Sequence, residues 1–134
     1  MNWDDENTVD ELPMPPRGPG LSAADMELLT LAARAIGARA EAVEGENWMS
    51  LYFDDGSHVW SWNPLLHSDD AFNLAIDLGF QVFPVARTMS GQACAAVASP
   101  VGARLAEEVS TLDARAATRR AVTRAAAEIG RAMA

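Results

Sequence analysis

The chain of 134 residues contains one cysteine, two histidines, one tyrosine and no lysine. Cys94, being alone, forms no internal disulfide, so a reducing cytoplasm is the expected compartment. Two histidines leave few candidates for a catalytic base, and no Gly-x-Ser-x-Gly elbow accompanies them. A Gly-rich phosphate loop is missing as well. Gly18-Pro19-Gly20 has the composition, but its proline removes an amide that a phosphate would need. Apolar runs are short and alanine-rich, so no membrane-spanning helix is expected. The acidic N-terminus lacks the basic-then-apolar order of a secretory signal. No cofactor is expected.

What is present is the balance of a soluble domain, 49% hydrophobic and 22% charged. One domain of this length buries roughly 70% of its unfolded surface. The net charge of −9 is unevenly spread. Residues 1–20 set five acids against Arg17, residues 21–110 set twelve acids against four arginines, and the last 24 residues set five arginines against Asp113 and Glu128. An acidic body repels phosphate backbones, which makes direct nucleic-acid binding an unfavoured expectation. It leaves contact with a basic protein, or imitation of a nucleic acid by carboxylates. All ten basic residues are arginine, whose planar fork makes bidentate contacts that lysine cannot.

Residues 1–20 read as a disordered acidic arm. Pro13, Pro15, Pro16 and Pro19 alternate with Gly18 and Gly20, a pattern that favours extended chain, and Trp3 is its one aromatic anchor. Residues 21–134 read as a single α+β domain. The first helix starts at Ser22, with Asp25 in a variant capping box, buries Leu28, Leu29, Ala32, Ala35 and Ile36, and stops at Gly37. A strand at about 39–44 precedes a hairpin of Trp48–Phe53 and His58–Trp62. A two-residue turn at Asp55-Gly56 would set Phe53 opposite His58, Leu51 opposite Trp60 and Met49 opposite Trp62. Asn63-Pro64 ends the hairpin.

The second helix is expected from an N-cap at Ser68, with Ala71, Leu74, Ala75 and Leu78 inward and Gly79 closing it. Strands follow at Phe80–Ala86 and Gln92–Ala98, the first at an edge because of Pro84. Residues 99–111 read equally as strand or helical turn. The last helix, from Asp113 to Met133, places Thr118, Val122, Ala125, Ile129 and Met133 on one face and Arg120, Arg124 and Arg131 on the other. The expected architecture is an antiparallel sheet of four to five strands sandwiched by three helices.

Candidate functional residues are few. The arginine stripe has three readings: a solvated face bridged by Glu128, a dock for the acidic arm, or a contact for an acidic partner. Asp54, Asp55, Asp69 and Asp70 are the carboxylates placed to imitate phosphates. With His58 and His67 they match no metal-ligand spacing, and turn and helix-dipole roles already account for them. Trp48, Trp60 and Trp62 read as core or cross-strand pairs, with stacking on bases or a sugar as the alternative, and Cys94 among alanines as a small buried hydrophobe.

Two segments carry a resemblance. Trp62-Asn63-Pro64-Leu65 leads into Asp70-Ala71, Leu74-Ala75 and Leu78-Gly79; Ala117-Thr118-Arg119-Arg120-Ala121-Val122 leads into Arg124-Ala125-Ala126-Ala127-Glu128-Ile129-Gly130. Together, over roughly residues 25–133, they resemble the phage ABA-sandwich domain family of phage and prophage proteins. The resemblance implies a helix-sheathed sheet and a phage or prophage origin, hence the cytoplasm of a bacterial host cell, with no catalytic residues to transfer. The expectation is a non-enzymatic accessory protein that binds another protein, inhibition of a host defence complex being its sharpest form. Alternatives are a nucleic-acid-associated protein using the arginine stripe, and a small metal-dependent enzyme. A homodimer through an exposed sheet face or the Pro84 edge is a further expectation.

Overall fold

The computed structural model describes residues 20–109 and 113–133. The expected arm and its Trp3 lie outside the described residues. Helix α1 spans Ala23–Ala35, and Ser22 caps it, its hydroxyl accepting the Asp25 N–H at 3.1 Å. Strands β1 (Ala38–Ala42), β2 (Met49–Phe53) and β3 (His58–Trp62) form one antiparallel meander. Helix α2 (Ser68–Leu78) follows, then β4 (Gln81–Arg87), β5 (Ala93–Ala98) and β6 (Arg104–Val109) form a second. Helix α3 spans Ala114–Ala132.

The α+β class is as expected, but the single sheet of four to five strands is not. Among the described residues, six strands form two three-stranded sheets, ordered β1-β2-β3 and β4-β5-β6. Short loops pair each set of three locally, and the Asn63-Pro64 corner with α2 separates them. The ambiguous stretch resolves as β6, whose Leu105 packs against the core while Ala106 is buried. With Trp60 on β3 76% exposed and Val85 on β4 86% exposed, the sheets are not enclosed between helical layers. Pro84 does sit on an edge strand, where the β4–β5 register shifts between Phe83 and Ala86.

The first hairpin departs from expectation by one residue. Its loop has three residues rather than two: Gly56 N–H donates to Phe53 O and Phe53 N–H to Ser57 O, both at 3.0 Å. Gly56 takes φ 90°, the left-handed residue that such a loop ends on. Tyr52 therefore pairs with His58 and Leu51 with Val59. A one-residue slip turns every side chain of the strand over, so His58 and Trp60 leave the expected core face. An irregularity between Met49 and Leu51 then restores the Met49–Trp62 pair, and Trp62 returns to the core.

Helix α3 is the central element, packed against α1, α2 and all three strands of the second sheet. Ala117, Ala121, Val122, Thr123, Ala125, Ala126, Ala127 and Gly130 are buried along it. These small groups let the helices close in: a Cβ at Gly130 would lie 1.8 Å from the Leu31 carbonyl oxygen. Leu29 and Ala32 of α1 join Met49, Leu51 and Trp62 of the first sheet and Val97 of the second in one core cluster. Cys94 is buried, as its alanine neighbours implied.

The Trp62-Asn63-Pro64 corner is tied from every side. The Asn63 side chain donates to Asn47 O at 2.6 Å and accepts the Leu65 N–H at 3.0 Å, while its own backbone N–H donates to Asp70 Oδ2 at 2.9 Å. His67 rather than Ser68 occupies the α2 N-cap position and makes no side-chain cap bond. The Ser68 hydroxyl is instead an acceptor for Arg119 Nη1.

Candidate functional site

Helix α2 carries more apolar residues than one buried face requires. Ala71, Leu74 and Ala75 are buried, yet Phe72 and Ile76, one helical turn apart, are 67% and 58% exposed. They form one wall of a cleft of about 990 Å³, completed by Phe80, Val82 and Pro84 and by the first turns of α3. Arg119 fixes the opposite wall, its Nε donating to Leu65 O at 3.0 Å across the chain.

At the mouth, Asp113 caps α3, Oδ1 accepting the N–H groups of Arg115 and Ala116. The Ala116 N–H, with that of Arg115 and the nearby Arg119 and Arg115 charges, holds the Asp113 carboxyl below its ordinary value. Arg115 is exposed there and forms no ion pair among the described residues. The arrangement is an apolar trough with one open cation. It suits side chains of a partner better than a reacting small molecule. The sequence reading missed Phe72 and Ile76; the surplus of apolar positions on α2 was the available signal.

A second surface lies on the first sheet. The Arg39 guanidinium sits 5.1 Å from the Tyr52 ring centroid. Tyr52 stacks on His58 at 4.4 Å and 11°, and His58 meets Trp60 edge-on at 4.0 Å and 60°. Of Trp60 and Trp62, expected on the apolar face, only Trp62 is buried; Trp60 stands in solvent, and Trp48, expected on the mixed face, is partly covered.

The expected site residues do not form one site. Arg120 pairs with Asp25 at 3.7 Å, Arg124 with Glu108, and Arg131 with Glu128 at 3.2 Å. Arg124 also donates to Glu107 O at 3.0 Å. The stripe is thus half-exposed and internally neutralised, and among the described residues Glu128 pairs with Arg131 and not with Arg124. Asp54 and Asp55 lie in the hairpin loop, where Asp55 Oδ1 accepts the Ser57 hydroxyl at 2.6 Å and the Ser57 N–H at 2.8 Å. Those bonds lower the Asp55 pKa.

Asp69 is exposed in the first turn of α2, and Asp70 accepts the Asn63 N–H. Burial pushes the Asp70 carboxyl above its ordinary value, and the Asp69 charge adds to that; the Asn63 bond opposes it. Among the described residues, no cluster of His, Cys, Asp or Glu could hold a metal ion, and no helix is long and apolar enough to cross a membrane.

Compared with family models, curated proteins and solved structures, the chain matches none of them.

Proposed function

We propose that this is a non-enzymatic, phage- or prophage-encoded accessory protein that acts by binding another protein, and that the partner seats in the α2–β4–α3 cleft. The observation that carries this reading is the exposure of Phe72 and Ile76 beside Phe80, Val82 and Pro84. Two large apolar side chains held side by side in water on α2 become favourable when something else covers them. The fitting occupant is an amphipathic helix with apolar side chains at i and i+4 and a carboxylate for Arg115. The phage origin rests on the sequence resemblance, and inhibition of a host defence complex is the sharpest form of this reading.

Carboxylate mimicry of nucleic acid has weaker support, because Asp55 and Asp70 are engaged by the chain's own N–H groups. The arginine stripe, paired throughout, offers a nucleic acid little free charge. The test is affinity capture from bacterial lysate with the native protein and with Phe72→Asp/Ile76→Asp. A partner held by the native protein and released by the double variant is the expected result. A partner retained by the variant places binding elsewhere, and substrate turnover by pure protein overturns the non-enzymatic reading.

A further inference from the structure

The outer face of the first sheet has no part in the cleft reading. Its side chains stand in two cross-strand rows. In one, Arg39 of β1 lies opposite Tyr52 of β2, and Tyr52 opposite His58 of β3. In the next, Glu41 lies opposite Ser50, whose hydroxyl donates to Trp60 O at 2.9 Å. The rings touch in turn, Tyr52 with His58 and His58 with Trp60, and Trp60 is 76% exposed.

Nucleobases, sugars and cations all stack on such rings, and the charge around them chooses between the three. Residues 38–62 hold Glu41, Glu44, Glu46, Asp54 and Asp55 against Arg39 alone. Arg39 is already paired with Glu41 at 3.0 Å. Glu44, in the β1–β2 loop, stands at one end of the sheet, and Asp54, in the hairpin loop, at the other. Both are exposed and neither forms an ion pair among the described residues. Phosphates are repelled from such a surface, and a neutral sugar gains nothing from its charge. A cation gains from the carboxylates and from the ring faces together.

One cation of the chain already shows this preference. The Arg39 guanidinium lies 5.1 Å from the Tyr52 ring centroid, within cation–π range. Tryptophan attracts cations more strongly than tyrosine does, yet among the described residues no cation lies over Trp60. The best ring of the face is thus the one left open.

We infer that the Tyr52–His58–Trp60 face docks a short basic segment of a partner protein, an arginine or lysine side chain lying on the Trp60 ring and its neighbours reaching Glu44 and Asp54. Between the two loops, the five residues of β2 cover about 17 Å, which an extended segment of similar length spans. This face shares no residue with the cleft, so either reading can fail alone.

The test titrates the full chain with a capped hexaarginine peptide and follows it by nuclear magnetic resonance. The Trp60 indole N–H and the amides of Tyr52 and His58 should shift, while those of Phe72 and Ile76 stay in place. Trp60→Ala leaves the net charge unchanged and should weaken binding about fivefold, the loss of one exposed cation–π contact. Trp60→Phe keeps a ring and should recover part of that loss. Equal affinity of the native protein and Trp60→Ala overturns the inference, since net charge alone then holds the peptide. Shifts centred on Phe72 and Ile76 overturn it as well and move the peptide to the cleft. Maltohexaose or an oligothymidylate that shifts the Trp60 indole where hexaarginine does not makes the face a sugar or nucleobase site instead.

Discussion

Asn63 shows how one buried polar side chain can hold a corner. Its amide serves Asn47 and Leu65 while its backbone N–H serves Asp70, and the residue is 3% exposed. Replacing it by alanine strands partners that water reaches poorly, so Asn63→Ala should cost about 2 kcal/mol in urea denaturation. Asp70 offers a sharper test through pH. Its folded-state pKa is raised above the ordinary 3.8, so the folded chain holds that proton more tightly than the unfolded one. The resulting stabilisation is present below 3.8 and lost as pH rises through the raised value. Asp70→Asn keeps an acceptor for the Asn63 N–H and removes the buried charge. Above the raised pKa of Asp70 it should therefore be as stable as the native protein or more so. Asp70→Ala removes the acceptor and should lose about 1 kcal/mol. Asp113 behaves oppositely: its lowered pKa supports the fold above 3.8, and that support fades as the solution is acidified.

Between elements, the contact that tolerates least change is α1 against α3. The Leu31 carbonyl occupies the space a Gly130 side chain would need, and backbone cannot step aside as a flexible side chain can. Gly130→Ala should lower stability by about 3 kcal/mol, measured by thermal or urea unfolding. Arg131→Ala, one residue on, removes only an exposed pair with Glu128 and should change stability by less than about 0.5 kcal/mol. Apolar periodicity and capping chemistry made the helices readable in the sequence: Ser22, Asp113 and Gly79 sit where helix-end rules put them. The strands were readable too, but their pairing was not. Asp54-Asp55-Gly56 closes a two-residue or a three-residue loop with equal local ease, and that single choice decides whether Trp60 is core or surface. Phe72 and Ile76 escaped notice for a related reason. Apolar residues on a helix are assigned to the core by default, and only the packed structure shows that α3 and β4 leave these two uncovered.

At the scale of the whole molecule, charge and apolar exposure separate. Arg120, Arg124 and Arg131 of α3 are spent on Asp25, Glu108 and Glu128, on a chain of net charge −9 that presents an apolar trough and an aromatic row. Duplex DNA should not be retained in a gel-shift assay even at low ionic strength, whereas release of a captured protein partner should follow Phe72 and Ile76. Retardation at low salt, lost on raising it, would return the arginine stripe to consideration.

The central helix is also the most distant in sequence from what it touches. Leu31 and Gly130 meet across almost the whole described chain, and Asp25 and Arg120 nearly so. Until residues 114–132 leave the ribosome, the α1 face and the inner side of β4–β6 have nothing to close on. Burial is therefore delayed until α3 has been made, which favours slow, all-at-once assembly over stepwise growth from α1 onward.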